Sequence, residues 1–279
     1  MGNTGKMVRF DLTKNSYLVE NRNRDQDKFI GGRGLGDWIL FNEVGKNVSP
    51  LDPENIMVFG SGPLTGTIAP TSGRLSLVTK NLLSGGLAFS NAGGHFGPEL
   101  KYAGFTDLII KGKAPHPVYI YINNDNIEIR NAQHLWGKDT WETEDLIKQE
   151  LEDEQVQILS IGPGGENLAK SACIIINKGR ALGFGGCGAI MGSKNLKAIA
   201  VRGNNSAQVN DPEGFMNECY RAFKKMEYSI GTNFMRHGGT INKIGPALSI
   251  PYRNYQDDHY GQKTAELSQL NFKRKYETK

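Results

Sequence analysis

Three stretches of this 279-residue chain set a cationic or amide side chain among glycines. TSGRLSL carries Arg74, SNAGGHFGPEL carries Asn91 beside Gly93, and NKGRALGFGG carries Arg180 and Ala181 ahead of Gly183. Arginine presents a rigid fork of N–H donors that matches phosphate oxygens. Glycine-rich backbone can turn its own N–H groups toward an anion. Together they suit a ligand with phosphates and a polar ring system. Surface arginines on ordinary turns are the alternative, and local sequence leaves both open.

The third stretch continues into a nucleotide-like pattern: Gly183, Gly185 and Gly188 spell G-x-G-x-x-G. A nicotinamide site needs a strand before that pattern, a helix opening from it and an acid about 20 residues on. Cys173 to Ile176 supplies a strand. After Gly188, only Ala189, Ile190 and Met191 precede Gly192, and Ser193-Lys194-Asn195 reads as a turn. Leu196 to Val201 reads as the next strand, and Arg202, not an acid, follows it. The pattern therefore leaves no room for a crossover helix and does not predict an NAD site. A tight hairpin, or close approach of backbone to some other ligand, would each account for the glycines.

Other reactive residue types are scattered. His95 is one of 5 histidines, none spaced as metal ligands, and reads as a structural or pocket-lining side chain. Cys173, Cys187 and Cys219 form no C-x-x-C pair and read as small buried apolar groups. No nucleophile elbow, kinase set or Walker loop occurs. No side chain stands out as a catalytic acid or base.

The elements that must position these stretches are mostly strands. Strand, turn and strand follow one another in VRFDLTKNSYLVE at 8–20. Ile56 to Gly60, Arg74 to Thr79, Leu108 to Lys111 and Val156 to Ile161 read as strands, and a hairpin turns at the Asn-Asp-rich 123–126. A short helix is expected over Asp37 to Glu43. A longer one is expected over 141–152, capped by Asp139 or Thr140, with Trp141, Leu146, Ile147 and Leu151 on its apolar face. Asp211-Pro212-Glu213 opens another helix, with Phe215, Cys219, Phe223 and Met226 on one face. These signals predict an α+β chain. A β-rich domain of antiparallel or mixed sheets with few helices covers 1–208, and a helical region begins over 209–279.

Composition narrows the function classes. With 33 basic and 29 acidic residues the net charge is +4, too mild to imply nucleic acid, and no basic run interleaves with aromatics. The basic tract NFKRKYETK reads as a solvated tail. No apolar run reaches membrane-span length, and the N-terminus lacks the apolar core of a signal peptide. Lys6 stands where a myristoylation site needs Ser or Thr. The expectation is a cytoplasmic protein with no membrane contact. Glycine, 35 of 279 residues, is about twice its average share and is clustered, which suggests many tight turns between strands or several loops converging on one ligand.

The runs GPLTGTIAPTSGRLSLVTK, SNAGGHFGPELKYAGFTDLIIKGKAPHPVYIYI, LWGKDTWETE, IGPGGENLAK and GAIMGSKNLKAIAV add a further reading. Over residues 5–203, in unbroken order, they resemble the aldehyde ferredoxin oxidoreductase family of tungsten (sometimes molybdenum) pterin enzymes. The resemblance implies a β-rich domain that carries the metal–pterin cofactor. It makes Arg74 a cofactor contact. Asn91 and Gly93 match one pterin-phosphate loop, and Arg180, Ala181 and Gly183 a second. Backbone carbonyls of Asn91 and Ala181 would hold a Mg²⁺ bridging the phosphates of two pterins. It also implies that the glycines from 183 to 188 let backbone approach the pterin. Many members carry arginine where this chain has Phe184.

The whole family enzyme, by the same resemblance, oxidises an aldehyde with water to a carboxylic acid and passes electrons through a [4Fe–4S] cluster to ferredoxin. The cofactor performs that chemistry while protein supplies placement and electrostatics. The cluster ligands, a C-x-x-C-x-x-x-C group and one distant cysteine, are absent from this sequence. A homodimer or a partner subunit is compatible with the resemblance. The rival expectation is a non-catalytic cofactor-binding module or an inactive truncated product. An in-frame continuation encoding C-x-x-C in the DNA downstream of codon 279 would support a broken or partial enzyme.

Overall fold

A computed structural model describes residues 5–24 and 26–239. The chain divides into two compact units, 1–212 and 213–279. The expected basic C-terminal tail and the polar tracts around 253–264 lie outside the described residues.

The first unit holds two six-stranded sheets. One comprises β1 (Lys6–Asp11), β2 (Ser16–Asn21), β3 (Met57–Ser61), β4 (Leu75–Lys80), β5 (Leu87–Ala92) and β6 (Asp107–Lys111), ordered β2-β1-β6-β3-β4-β5. The other comprises β7 (Val118–Asn123), β8 (Asn126–Asn131), β9 (Gln157–Ser160), β10 (Ile174–Ile176), β11 (Arg180–Leu182) and β12 (Leu196–Arg202), ordered β11-β10-β9-β12-β7-β8. Each sheet is antiparallel apart from one parallel pairing, β1 with β6 and β12 with β7. The helices of this unit are α1 (Arg33–Glu43), α2 (Phe96–Tyr102), α3 (Thr140–Leu151), α4 (Pro163–Glu166) and α5 (Cys187–Ser193). The chain is α+β, as expected from its sequence.

Period-two alternation sorts the strand residues into three cores. Val8, Phe10, Phe59 and Leu108 of the first sheet share one core with Ile120, Ile122, Ile199 and Val201 of the second, so the sheets pack face to face. The intervening residues Met7, Val58, Val78 and Ile109 turn outward and pack under Leu35, Ile39 and Leu40 of α1. Tyr119, Tyr121, Ala198 and Ala200 pack under Ile147 of α3 in the same way. The central strands of both sheets are thus buried on both faces, which explains apolar runs such as Leu108–Ile110 that lack polar alternation.

Three sequence expectations change here. First, a helix does follow the G-x-G-x-x-G pattern. All 7 residues of α5, Cys187 to Ser193, are buried, and Ser193 ends the helix where a turn was expected. Tertiary packing overrides the glycine-weakened helix propensity. A Cβ on Gly192 would stand 2.1 Å from the Gly165 carbonyl oxygen, so only glycine lets α5 settle against α4. The arrangement is still not a dinucleotide fold. Following the antiparallel pairings from β11 through β10 and β9, β12 runs opposite to β11 and is three places away. Second, SNAGGHFGPEL is not a simple loop: Asn91 belongs to β5, and α2 starts at Phe96. Third, Trp141 is 61% exposed and does not join the apolar face of α3, which buries Ile147 with Thr143 and Glu144.

The start of α3 follows the sequence closely. The Asp139 carboxylate accepts the Trp141 and Glu142 N–H groups, both at 2.8 Å, and Glu142 reaches back to the Asp139 N–H at 3.2 Å. Such a cap contributes about 1 kcal/mol. α1 begins at Arg33, four residues before the expected start, with Gly32 as its cap. In the second unit, α6 (Pro212–Glu227) and α7 (Ile230–Gly238) are described. On α6, Cys219 is buried and Phe223 is exposed.

Candidate functional site

Arg74 stands immediately before β4, whose Ser76 pairs with Asn91 of β5. Arg180 opens β11, paired with Ile176 across a hairpin whose turn residues Asn177 and Lys178 have φ of 47° and 57°. Asparagine tolerates that left-handed region better than most residues. β5 is the edge strand of the first sheet and β11 the edge strand of the second, and the two edges lie together. Two hydrogen bonds tie them. The Phe184 N–H donates to Ser90 Oγ at 3.3 Å, and the His95 N–H donates to Asn177 Oδ1 at 3.1 Å.

Between the edges opens a cleft of about 550 Å³. Arg74, Asn91, Gly93, Arg180 and Ala181 all line it. Gly183 does not; it sits against Cys173, whose Sγ would be 3.4 Å from an added Cβ. Thr71, Gly73, Gly94 and Gly179 complete the wall with Ala92. Their membership was visible in the sequence only as adjacency to the anchors already named.

The electrostatics of the cleft are one-sided. Among the described residues, two guanidinium groups line it and no carboxylate does. Arg74 Nη1 donates to Asn91 Oδ1 at 2.6 Å, which leaves most of its donors unused. The Arg180 guanidinium makes no hydrogen bond or ion pair with the described residues. An added Cβ on Gly93 would meet nothing within 4 Å, so this glycine borders open space. Open volume, free donors and positive charge fit an anion with several oxygen acceptors.

Gly185 behaves differently from Gly93. Its φ is 84°, and an added Cβ would lie 2.5 Å from the Ala88 Cβ on β5. Gly185 lets the glycine loop press against the first sheet. Its carbonyl also accepts the Leu82 N–H at 3.0 Å. The expectation that the 183–188 glycines approach a ligand is therefore corrected at Gly185, which approaches the protein's own strand.

Support for Arg74 comes from α2. The buried Lys101 ammonium donates to the carbonyls of Gly62 and Pro63 at 2.8 and 2.7 Å. The same turn carries Thr65, whose hydroxyl donates to the Arg74 carbonyl at 3.4 Å. Burial, reinforced by the nearby Arg22 charge and opposed by Asp107, lowers the Lys101 pKa to about 8. His95 caps the start of α2, with its side chain exposed. Among the described residues, no group of three His, Cys, Asp or Glu side chains could hold a metal ion. Any metal at the cleft would depend on backbone oxygens and on the ligand.

Residues 7–203 match the family described as aldehyde ferredoxin oxidoreductase, N-terminal domain. The chain belongs to the aldehyde ferredoxin oxidoreductase family. A tungsten-containing aldehyde ferredoxin oxidoreductase of Pyrococcus horikoshii is 44% identical over 265 residues, covering 91% of this chain and 43% of the relative. The enzyme of the same description from Pyrococcus furiosus is 43% identical, covering 93% of this chain and 44% of the relative. A P. furiosus aliphatic sulfonate oxidoreductase, WOR-like subunit, is 36% identical over 96% of this chain. The chain thus spans less than half the length of these relatives. Among solved structures, the active-site complex BamBC of benzoyl-coenzyme A reductase with 1,5-dienoyl-CoA superposes with a TM-score of 0.79 at 39% identity. That match covers 81% of this chain and 35% of the other. No helix among the described residues is long and apolar enough to cross a membrane.

Proposed function

We propose that the cleft between β5 and β11 holds the phosphate groups of a tungsten–pterin cofactor (a molybdenum one is the variant) for an aldehyde-oxidising enzyme. The observation that carries this reading is that Arg74, Asn91, Gly93, Arg180 and Ala181 share one acid-free cleft although they are scattered through the sequence. Arg74 and Arg180 would donate to phosphate oxygens. Gly93 would leave space for the ligand beside Asn91. The carbonyls of Asn91 and Ala181 would offer oxygen ligands to a Mg²⁺ shared with the phosphates, which suits that ion's preference for oxygen. Gly183 would act at one remove, through the backbone that follows Ala181.

The bound metal–pterin would supply the two-electron oxidation of an aldehyde to a carboxylic acid. This chain's own residues would bind and orient the phosphate end and keep positive charge beside it. Electron transfer to ferredoxin through a [4Fe–4S] cluster would fall to parts of a complete family enzyme other than this chain's three cysteines, and a cytoplasmic site of action fits that chemistry. A relative named as a subunit supports a second reading, in which the protein works beside a partner chain.

The test is elemental and pterin analysis of the protein purified anaerobically from a tungstate-supplied host that makes pterin cofactors. Tungsten and phosphorylated pterin in stoichiometric amounts are the expected result. Protein free of both metal and pterin would sink the reading.

A further inference from the structure

The two edge segments that line the cleft come from different sheets. Nothing in either sheet's hydrogen bonding sets the distance between them. At the end nearest Arg180, a side chain that lies outside the cleft wall spans that gap, while the Ser90 hydroxyl bridges it at Phe184. Asn177 Oδ1 accepts the N–H of His95, two residues after Gly93, at 3.1 Å. Its amide nitrogen donates to Gln157 Oε1 on β9 at 2.8 Å. Its backbone N–H donates to the Ile158 carbonyl at 3.1 Å. Both side-chain functions are therefore used, and in opposite senses: an acceptor toward α2, a donor toward β9. Three residues on stands Arg180.

The turn that Asn177 begins is held from outside as well. Trp141 Nε1 donates to the Lys178 carbonyl at 3.0 Å, and the Lys178 ammonium pairs with Asp145. This explains why an exposed tryptophan sits at the start of α3. Gly94 packs close to the same turn: an added Cβ would stand 3.1 Å from Asn177 Oδ1 and 3.6 Å from Arg180 Cγ. The segment after Asn91 and the segment before Arg180 thus meet at Asn177.

We propose that Asn177 is a positioning residue that sets the spacing between the Asn91–Gly93 and Arg180–Ala181 walls of the cleft. The proposal rests on the anion-binding reading given above. It adds that, next to Arg180, the separation of the two arginine-bearing segments is held by an amide that touches no ligand. Two guanidinium groups can share one ligand only if their spacing matches it, so loss of this link should weaken binding through Arg180.

Asn177→Gly is the informative variant, because glycine accepts the φ of 47° without strain while removing the amide. Asn195→Gly is the control. Asn195 also has positive φ, at 56°, and its side chain donates to the Ala114 carbonyl at 2.7 Å, away from the cleft wall. Amide hydrogen exchange in the whole chain reads the spacing without any ligand. Exchange of the His95 and Gly179 N–H groups should accelerate roughly three- to tenfold in Asn177→Gly and stay within twofold in Asn195→Gly. Calorimetric titration with magnesium pyrophosphate reads the consequence. Asn177→Gly should weaken binding by roughly tenfold, and the loss combined with Arg180→Ala should fall short of the product of the single losses. Unchanged exchange at His95 and Gly179 would overturn the proposal, as would fully multiplicative losses. A wild-type chain that ignores pyrophosphate while Asn177→Gly still loosens both amides would sink the anion reading and leave the spacing role standing.

Discussion

Arg74 Nη1 donates to Asn91 Oδ1 at 2.6 Å, joining residues 17 positions apart on the wall of one cleft. The bond uses one of the five guanidinium N–H groups and aims the rest. An asparagine that orients an arginine leaves its charge uncompensated, where a carboxylate would neutralise it. Arg74 is thereby held in place and remains available to an anion.

Among the described residues Arg180 has no such partner, so the two arginines should respond differently to truncation. Arg180→Ala should change folding stability by no more than ~0.5 kcal/mol, as for an exposed side chain without contacts. Both Arg180→Ala and Arg74→Ala should weaken magnesium pyrophosphate binding by roughly 1.5–3 kcal/mol, the worth of a charge-assisted hydrogen bond. Calorimetry beside thermal melts separates the two effects. Equal affinity in wild type and both variants would remove the cleft as a phosphate site.

Two glycines in neighbouring loops should behave in opposite ways. Gly185→Ala forces a Cβ to within 2.5 Å of Ala88 Cβ at a φ of 84°, so a loss of at least ~2 kcal/mol is expected. Gly93→Ala meets nothing within 4 Å and should leave the melting curve almost unchanged while narrowing the cleft. Urea unfolding of the two variants reads the contrast. A Gly185→Ala protein as stable as wild type would mean that β5 and the glycine loop are not in contact.

Stability should rise with pH just above neutrality. Burial lowers both Lys101 and Lys194 to about 8 from an ordinary 10.5. Between those values the folded chain has released protons that the unfolded chain still holds, so raising the pH favours the fold. The slope from one lysine is at most ~1.4 kcal/mol per pH unit. From about pH 9 upward the buried Cys187 thiol, pushed up to about 12 by its burial, works in the opposite direction. Urea midpoints at pH 7.5, 8.25 and 9 should therefore increase in wild type. They should increase less steeply in Lys101→Met, which starts lower because the Gly62 and Pro63 carbonyls lose their donor. An identical slope in the two proteins would count against a depressed Lys101.

The cysteines should be graded in reactivity. Cys173 is partly exposed, whereas Cys187 and Cys219 are buried. A disulfide reagent should modify Cys173 in the native protein at pH 8 and reach Cys187 only on unfolding. Mass spectrometry of the labelled peptides identifies the thiol. Rapid native labelling of Cys187 would show that α5 opens far more readily than its packing implies.

Much of this protein is written locally. Alternating and continuous apolar runs marked most strands, Asp139 and Glu142 announced the start of α3, and the anchors Arg74, Asn91 and Arg180 were recognisable by residue type beside glycine. These features are legible because a strand's period, a helix cap and a side chain's donors depend on residues only a few positions apart. Tertiary structure decided the rest. Arg180 and Asn91 line one cleft only because the edge strands of two separate sheets abut, and no local pattern encodes which edges meet. Gly183 belongs outside the cleft wall, and Gly185 serves Ala88 across nearly a hundred residues; both facts follow from backbone approach, which composition cannot reveal. Trp141 looked like a core residue by its spacing, yet it turns outward to hold the Lys178 carbonyl, because an indole N–H needs an acceptor and the hairpin turn supplies one. α5 forms in a glycine-rich segment with weak intrinsic helix preference, because α4 leaves a space at Gly165 that only a glycine-lined helix can fill.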